Sequence, residues 1–519
     1  MYDILIINGD VIDGTGKPRY KADLGIIGKK IVKIRDLKNS KAKKIIDAKD
    51  KIVCPGFIDI HSHSDFSILT NPFANSKILQ GVTTEVVGNC GDSAFPIRER
   101  NREEIQELVQ NKYGFSPSWE DYEEYVKLVS KKGCAVNILP LLGYNTLRSA
   151  IVGHEDIILS NEQKTLMKTI IEDYMKKGGI GISTGLIYSP GTFVGTEEII
   201  EMCKVVAKHN GIYTTHIRGE DERIIKSILE ANEIAEKAEI STQISHLKIL
   251  EEENWHLIGD LIKILDEKIS ANKNISCDQY PYTASFKNLK AILPNWAKEG
   301  GDKKIIERLS DKESLIKIEK EIKINPDKIK VSFLSNEKFQ NLIGKKLSRI
   351  ADELKVTEFE AFSIILKADI KTKAIFINQS EEVIEKLMKK DYVMIGSDGY
   401  ARNTQGILSN GANHPRDFGS FTRVLSNYVR ERKIISLEKA IKKMTSLPAI
   451  KLNLQDRGTI EVNKISDIII FDALEVKDKA TFDSPKQYSK GVEEVIVNGK
   501  HVVEMGKINN ILAGEVIRI

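Results

Sequence analysis

Two histidines one residue apart, His61 and His63, form a candidate metal-binding pair in this 519-residue chain. They come at the end of the apolar run that begins at Phe57. Residues i and i+2 of a β-strand point to the same face, so the two imidazoles could chelate one metal ion. A His-x-His pair also occurs by chance in surface loops. The other potential ligands of the chain therefore decide between these two interpretations.

Other metal-binding residue types also stand where short apolar runs end: Cys90, His216, His246 and Asp398. Thiolate together with imidazole favours Zn²⁺, with Fe or Co as substitutes. Three protein ligands with one position open to water make a hydrolytic site, because zinc lowers the pKa of that water to about 7. Packing alone is a poor explanation for so many ligands at run ends, although an Asx turn is the alternative for Asp398.

The elements that position these residues are eight apolar runs, many of them separated by amphipathic helical patterns. Most runs are continuous rather than alternating, as in strands buried on both faces. Eight parallel strands with crossovers predict an α/β fold, a (β/α)₈ TIM-like barrel whose catalytic groups gather at the C-terminal ends of the strands. The runs are Phe57–His61, Thr84–Cys90, Ala135–Leu142, Gly179–Thr184, Ile212–His216, Thr242–His246, Ile275–Tyr280 and Val393–Ser397.

Both ends of the chain have the pattern of short strands with tight turns. We expect residues 1–54 and 455–519 to form one small β-sandwich domain, and residues 55–454 to form the barrel. The predicted terminal strands are Asp3–Ile7, Asp10–Asp13, Asp23–Ile27, Lys30–Ile34, Lys44–Asp47, Gly458–Val462, Asp467–Phe471, Val492–Val497 and His501–Val503.

A long segment between the seventh and eighth runs does not fit the simple barrel. Its Lys-rich part, residues 286–345, has weak periodicity and is expected to form an inserted subdomain or lid. The helical patterns Glu358–Lys367 and Glu381–Lys389 are expected to resume the barrel after it.

The composition excludes several classes of protein. With 78 Lys+Arg against 74 Asp+Glu, mixed along the chain, the net charge of +4 is too even for nucleic-acid binding. The first residues lack the pattern of a signal peptide, and no apolar run approaches the ~20 residues of a membrane helix. Five cysteines at no framework spacing favour a reducing, cytoplasmic location. The oligomeric state, monomer or homo-oligomer, is left open.

Together the motifs resemble those of the amidohydrolase superfamily, and within it those of the N-acyl-D-amino-acid deacylases, the D-aminoacylase family. The resemblance extends over nearly the whole chain. The fourth run has no lysine, which disfavours the carboxylated-lysine metal bridge of hydantoinase- and dihydroorotase-type sites. The motifs are PGFIDIHSH at 55–63, VGNCG at 87–91, STGLIYSPG at 183–191, THIRGE at 215–220, SHLK at 245–248, DQYPYTAS at 278–285, GSDG at 396–399 and HPRDFGSF at 414–421.

The resemblance implies which residues hold metal. It places a tightly bound zinc on Cys90, His216 and His246. It places a possible second, weaker metal on His61 and His63, completed by Asp398. It also implies that the Asp398 carboxylate takes a proton from the attacking water and returns it to the leaving nitrogen.

An N-acyl amino acid carries a carboxylate that needs a partner. Lys248 and Arg416 are the candidate cations, and a solvated loop charge is the alternative for each. The motifs that resemble the substrate-binding segments of the family add Tyr188, Tyr280, Tyr282 and Ser285, with core packing as the alternative for each tyrosine.

The remaining polar candidates are given smaller roles. Arg402, next to Asn403, could meet an acidic substrate side chain, although a solvated loop position is favoured for it. His414 is expected to order its loop rather than to bind metal. No chemistry is assigned to His154, His209, His256 and His501.

The expected function is zinc-dependent hydrolysis of the amide bond of N-acyl-D-amino acids to a carboxylate and a free D-amino acid. One alternative is another amidohydrolase reaction, either cyclic-amide hydrolysis of the hydantoinase or dihydropyrimidinase kind or D-dipeptidase activity. The alternative of another class is a non-catalytic scaffold that kept the fold and lost the site. The expected partner is a small-molecule substrate, with neither nucleic acid nor membrane.

Overall fold

Strands and helices alternate through the middle of the chain in a computed structural model that describes residues 1–271 and 274–519. The strands are β1 (Tyr2–Val11), β2 (Tyr20–Ile27), β3 (Lys30–Arg35), β4 (Ala42–Asp47), β5 (Ile52–Pro55), β6 (Phe57–Asp59), β7 (Val82–Val87), β8 (Asn137–Pro140), β9 (Leu142–Gly143), β10 (Gly181–Gly185), β11 (Ile212–His216), β12 (Ser241–Ile244), β13 (Ile275–Gln279), β14 (Ser285–Asn288), β15 (Ile329–Phe333), β16 (Lys373–Phe376), β17 (Val393–Ile395), β18 (Ile468–Phe471), β19 (Val492–Val497), β20 (Lys500–Glu504) and β21 (Lys507–Ile508).

The α-helices lie mainly between the strands of the middle region, and a π-helical stretch, Val424–Glu431, follows one of them. The α-helices are α1 (Ser67–Thr70), α2 (Asn75–Ile78), α3 (Glu99–Tyr113), α4 (Tyr122–Lys132), α5 (Tyr144–Val152), α6 (Asn161–Lys176), α7 (Thr196–Ala207), α8 (Ile224–Ala238), α9 (Ile258–Ala271), α10 (Asn295–Lys298), α11 (Gly301–Ser310), α12 (Lys312–Glu321), α13 (Leu347–Leu354), α14 (Glu358–Ala368), α15 (Glu381–Met388), α16 (Arg416–Arg423), α17 (Leu437–Met444) and α18 (Ser446–Lys451).

Eight strand positions form the predicted parallel barrel. Strand β6 pairs with β7 and β7 with β8, while β9 through β13 pair in sequence and β13 pairs with β17, all in parallel. The barrel closes where Asp398 N donates to His61 O at 2.8 Å and His63 N donates to Gly399 O at 2.9 Å. The segments that follow β6 and β17 are therefore fixed side by side. They carry the predicted ligands His61, His63 and Asp398.

The third barrel position is divided into two strands. The predicted run Ala135–Leu142 becomes β8, which pairs with β7, and β9, which pairs with β10. Pro140 has no N–H to donate. Leu141 N still donates to Val87 O of β7 at 2.9 Å, and pairing with β10 begins at Leu142.

Strands from both chain ends share one nine-stranded sheet, in the order β21-β20-β19-β18-β5-β1-β2-β3, with β4 also paired to β1. The predicted strands Asp3–Ile7 and Asp10–Asp13 are one strand, β1, with a register shift between Ile6 and Gly9. The predicted strand Gly458–Val462 is wrong. Ile460 buries its side chain in the core of this sheet, but its segment forms no ladder.

The segment after the seventh barrel strand has a core of its own. It contains an antiparallel sheet in the order β14-β16-β15, and the helices α10 to α14 lie between these strands in the chain. The predicted helix Glu358–Lys367 forms as α14, but Phe362 and Ile365 bury in the core of the insertion and not against the barrel. We therefore propose that the inserted unit spans residues 285–376 rather than 286–345, and that α15 resumes the barrel. None of the helices in residues 1–271 and 274–519 is long and apolar enough to cross a membrane.

A fully buried lysine ties the closing strands together. The Lys77 ammonium, with an exposed fraction of 0%, donates to Asp59 Oδ2 at 2.7 Å and to Ser397 Oγ at 2.6 Å. It also lies 3.4 Å from Glu85 Oε2. Burial opposes the charged form, but Asp59 and Glu85 outweigh it and raise the pKa of Lys77. The ion cluster joins β6, β7 and the end of β17.

Replacing Lys77 by Met is expected to lower the free energy of unfolding of the metal-free protein by about 3–5 kcal/mol, because two carboxylates would stay buried without their cation. Urea unfolding measures the change. Lys164→Met is the control, since Lys164 pairs with Glu201 at the surface and its loss should leave the midpoint unchanged. A Lys77→Met protein as stable as this control would contradict the proposed role.

Candidate metal centre

The six predicted metal ligands converge at the C-terminal edge of the barrel. Cys90 belongs to two groups, in each of which the ligand atoms lie within 4.8 Å of one another. All six are buried except His63, whose side chain is 15% exposed. One group comprises Cys90, His216 and His246, and the other His61, His63, Cys90 and Asp398.

The Cys90 thiol lies between histidines of both groups. Its Sγ is 3.3 Å from His246 Nε2 and 3.4 Å from His61 Nε2. The His216 ring contacts the His246 ring edge-on, with their centroids 4.3 Å apart. One sulfur could therefore serve a metal ion on either side of it or bridge two.

Three of the converging residues have backbone conformations that L-residues rarely adopt. Cys90, His246 and Asp398 have φ of 55°, 36° and 49°. Such conformations cost about 1–3 kcal/mol each and persist where surrounding structure enforces them. Before Cys90, Gly88 has φ 77°, and a Cβ there would lie 2.3 Å from the carbonyl oxygen of Leu141. The turn that aims the thiol inward therefore requires glycine at 88.

The donor set fits a zinc-type metal. Among the described residues, neither ring nitrogen of His216 has a hydrogen-bond partner, although both are buried. Burial lowers the pKa of His216, and it lowers the pKa of His246 to about 3 and that of His63 to about 4, so these imidazoles are neutral and able to ligate. Burial raises the pKa of the Cys90 thiol, so that metal binding would release its proton.

Two carboxylates that we did not single out in the sequence orient the histidines. Asp278 Oδ1 lies 3.2 Å from His61 Nδ1 and accepts a hydrogen bond from the His246 backbone N–H at 2.9 Å. Glu220 lies 3.2 Å from His246 Nδ1 and 3.5 Å from His216 Nε2. Such carboxylate–histidine contacts fix the ring orientation of metal-binding histidines. The available signal was a carboxylate four residues after His216 and another at the end of the seventh strand.

Lys248 is held by protein groups rather than free for a ligand. Its ammonium is paired with Glu220 and lies 2.7 Å from His246 Nδ1. Burial opposes its charge, but Glu220 outweighs burial and raises the pKa of Lys248. It lines the cavity at the metal centre. Its contacts nevertheless favour orienting Glu220 and His246 over binding a substrate carboxylate.

Asp398 is paired with a buried arginine. Its Oδ2 is 2.8 Å from Arg416 Nη1, and its Oδ1 is 3.1 Å from His63 Nε2. Burial alone would raise the pKa of Asp398, but Arg416 and the histidines hold it well below its usual value. Arg416 Nε and Nη1 have no hydrogen-bond partner of good geometry among the described residues. The guanidinium can therefore donate hydrogen bonds to an additional anion.

A cavity of about 60 Å³ lies over these groups. Tyr188, Tyr280 and Ser285 all line it, as do Lys248 and Arg416. The Tyr280 hydroxyl accepts from Gln379 Nε2 at 2.7 Å, and its ring lies 4.7 Å from the Arg416 guanidinium carbon.

Tyr282 is absent from the described lining of this cavity, contrary to our prediction. It is buried, and its ring packs against the Arg423 guanidinium at 4.9 Å and against the rings of Phe482 and His414. The neighbouring Tyr280 takes the position at the cavity.

A larger cavity of about 210 Å³ continues from the metal centre between α3 and the insertion. His154 lines it and is held by Glu104 at 2.8 Å and Ser189 at 3.0 Å. Arg402 does not line either cavity and pairs with Asp417 at 3.3 Å. His414 hydrogen-bonds to Ala284 O and to Arg416 N, which orders its loop.

Comparisons with known proteins agree on the family. The model of the Amidohydrolase family matches residues 52–502. The chain is 31% identical to a D-aminoacylase of Alcaligenes xylosoxydans xylosoxydans, over 99% of this chain and 97% of that protein. It is 29% identical, with a TM-score of 0.86 over 100% of both chains, to the crystal structure of an N-acyl-D-glutamate deacylase from Bordetella bronchiseptica complexed with zinc and a phosphonate inhibitor that mimics the tetrahedral intermediate.

A D-aminoacylase structure described by its binuclear metal centre, with one-metal activation and second-metal attenuation, is similarly close. It has 30% identity and a TM-score of 0.85 over 100% of both chains. The chain therefore belongs to the amidohydrolase family and, within it, to the D-aminoacylase family of N-acyl-D-amino-acid deacylases.

Proposed function

We propose that this protein is a zinc-dependent hydrolase that cleaves the amide bond of N-acyl-D-amino acids to a carboxylate and a free D-amino acid. The observation that carries the proposal is that the buried Cys90 thiol belongs to both groups of potential metal ligands. The ion pair of Asp398 and Arg416 lines the same cavity. The relatives named above act on this substrate class or are named for it, which supports the proposal.

Cys90, His216 and His246 would hold the tightly bound zinc. His61 and His63 would hold a second, weaker metal together with Asp398 and the shared thiol. A zinc ion bound there would supply a polarised acyl carbonyl and a water acidified to a pKa of about 7. Asp278 and Glu220 would keep the imidazole rings aligned for these bonds.

Asp398 is the proposed proton carrier. It is ionised in the cavity, so it can accept a proton from the water that attacks the acyl carbon. When the C–N bond breaks, the same carboxyl returns that proton to the nitrogen, which leaves as the free amine. Its salt bridge with Arg416 and its contact with His63 hold it in one position during both transfers.

The substrate α-carboxylate is proposed to bind Arg416, assisted by Tyr280 and Ser285. The guanidinium is 2% exposed and keeps Nε and Nη1 without well-aligned hydrogen bonds, so a carboxylate there would satisfy both. Tyr188, beside His216, would contact the acyl group near the metal. With the amide and the α-carboxylate held at separate points, the side chains of the two enantiomers would point to opposite sides of the cavity. Selectivity for the D-enantiomer would then follow if the cavity wall admits a side chain on one of these sides.

The inserted unit is proposed to act as a lid. Its strand β14 contributes Phe286, Lys287 and Asn288 to the wall of the smaller cavity. Ala291, Ile305 and Phe333 of the same unit line the larger one. Closing this wall over the acyl group would exclude water and strengthen the electrostatic contacts inside.

We also propose a reducing, cytoplasmic location. In support, the five cysteines are all free thiols and all buried. None of them forms a disulfide in the structure, in agreement with usage in a reducing compartment.

The metal assignment predicts different losses for different ligands. Cys90→Ala should lose zinc from both groups, His216→Ala should lose the tightly bound zinc, and His63→Ala should retain it. Zinc per chain after gel filtration, followed by competition with a chelator, measures this order. Cys277→Ala is the control, because it removes another buried thiol, from barrel strand β13, and should retain the metal. Full zinc retention by Cys90→Ala would contradict the assignment.

A substrate panel tests the reaction. We expect hydrolysis of N-acetyl-D-amino acids, with little hydrolysis of N-acetyl-L-amino acids, hydantoins, dihydropyrimidines or dipeptides. Asp398→Asn should lower kcat by about 10²–10⁴-fold because the proton carrier is lost, while the tightly bound zinc is retained. Turnover of only cyclic amides would refute the deacylase function. Activity retained by Asp398→Asn would refute its role as proton carrier.

A further inference from the structure

Two lysines beside the metal centre have no carboxylate partner. Lys112, near the end of α3, and Lys373, the first residue of β16, both line the larger cavity, and Lys373 lines the smaller one as well. Neither forms an ion pair within 4.0 Å with any described residue. Both amino groups instead contact the side chain of Tyr400.

Both lysines gather on one aromatic ring. The Lys112 ammonium lies 3.8 Å from the centroid of the Tyr400 ring, and the Lys373 ammonium contacts the Tyr400 hydroxyl at 2.7 Å. The Arg402 guanidinium lies 4.9 Å from the same ring. The Tyr400 ring in turn packs against His63, with centroids 5.6 Å apart. We call Lys112, Lys373, Arg402 and Tyr400 the cationic cluster. Its Tyr400 ring directly contacts the proposed metal ligand His63.

The other lysines of the larger cavity have partners of their own. Lys371 pairs with Glu104 at 2.8 Å and with Asp302 at 2.7 Å, and Lys290 also pairs with Asp302. The amino group of Lys298 donates to a backbone carbonyl. Two further acids line the cavity, Asp65 and Asp92, and neither lies within 4.0 Å of the amino groups of the cationic cluster. Lys371 and Lys290 therefore have carboxylate partners in this cavity, whereas Lys112 and Lys373 have none among the described residues.

The arrangement is unfavourable without a ligand. Lys112 is 8% exposed, and the removal of a cation from water without a counter-ion is strongly unfavourable. Burial and the Arg402 charge lower the pKa of Lys373 to about 8, and burial with the Lys373 charge lowers the pKa of Lys112 well below its usual value. An anion placed between the two amino groups would remove this repulsion and make two charge-assisted hydrogen bonds.

We propose that the cationic cluster binds a second carboxylate of the substrate, so that this enzyme prefers N-acyl-D-amino acids with two acidic groups. This inference rests on the proposed function, in which Arg416 takes the α-carboxylate. The second carboxylate belongs either to the D-amino-acid side chain or to the far end of the acyl group. The relatives reported above, a D-aminoacylase at 31% identity and an N-acyl-D-glutamate deacylase at 29%, are about equally similar and do not decide the preference.

Matched substrate pairs separate the two sources. N-acetyl-D-glutamate against N-acetyl-D-glutamine tests the side chain, and N-succinyl-D-alanine against N-butyryl-D-alanine tests the acyl end. We expect kcat/KM for the acidic member of one pair to exceed that for its neutral partner by about tenfold or more, as two charge-assisted hydrogen bonds would give. A preference for the neutral member in both pairs would overturn the proposal.

The double variant Lys112→Met with Lys373→Met should remove that preference. We expect kcat/KM for the favoured acidic substrate to fall about 10- to 100-fold, while kcat/KM for its neutral partner changes little. The ratio between paired substrates is measured on one preparation, so incomplete folding or zinc loading cancels. Lys345→Met, which removes a charge paired with Glu353 elsewhere in the insertion, should keep the ratio of the unmodified protein. An unchanged ratio in the double variant would refute the proposal.

A binding measurement keeps this inference separate from the proposed reaction. Calorimetry with D-glutamate, D-glutamine and succinate, on the zinc-loaded protein, needs no turnover. Binding of a dicarboxylate at least about tenfold tighter than D-glutamine, lost in the double variant, would support the cationic cluster even if no N-acyl-D-amino acid were hydrolysed. Equal binding of all three compounds, together with normal deacylase activity, would refute the cluster and leave the proposed function intact.

Discussion

The position of one thiol determines the arrangement of the whole centre. Cys90 Sγ lies 3.3 Å from one histidine nitrogen and 3.4 Å from another, and these histidines belong to different ligand groups. A single sulfur can be shared in this way only if the first, second and sixth barrel strands end at the same depth. The parallel barrel provides this alignment, and the rare backbone conformations of Cys90, His246 and Asp398 turn their side chains into the shared space.

Burying so many polar groups together would be costly without partners for each of them. The structure supplies those partners in a layer behind the ligands: Asp278 for His61, Glu220 for His216 and His246, and Arg416 for Asp398. Below this layer, the Lys77 ion cluster joins the barrel strands that close against each other. These contacts leave capacity for ligands. The His216 ring nitrogens make no hydrogen bond of good geometry and suit a metal, and Nε and Nη1 of Arg416 likewise suit a carboxylate. Lys112 and Lys373, which have no carboxylate partner among the described residues, suit a second carboxylate.

The barrel and its candidate ligands were predictable because the catalytic residues of such barrels lie at the C-terminal ends of the strands. The apolar runs and the residues that end them indicated the barrel and the residues that converge in it, and the quoted motifs indicated the family. The partners of individual polar and aromatic side chains were not predictable. Lys248 follows His246 closely in the sequence, yet whether it meets substrate or Glu220 depends on the end of the neighbouring strand. Tyr280 lines the cavity and Tyr282 does not, although residues two apart on a strand would share a face. Both follow the end of β13 at Gln279, so three-dimensional packing decides which one reaches the cavity.

The insertion shows a different limit of sequence patterns. The helix at Glu358 was expected from its periodicity, but an amphipathic pattern does not say which core receives its apolar face. Phe362 packs with the sheet of β14, β15 and β16, whose strands are separated by long stretches of chain. Lys112 and Lys373 likewise lie far apart in the sequence and meet only because α3 and β16 both approach the same tyrosine.

X-ray absorption at the zinc edge tests the shared thiol most directly. For protein loaded with one zinc per chain, we expect one sulfur ligand at about 2.3 Å together with nitrogen or oxygen ligands at about 2.0–2.2 Å. The sulfur contribution should vanish in Cys90→Ser. A first coordination sphere made only of nitrogen and oxygen in the unmodified protein would contradict a metal centre built on Cys90.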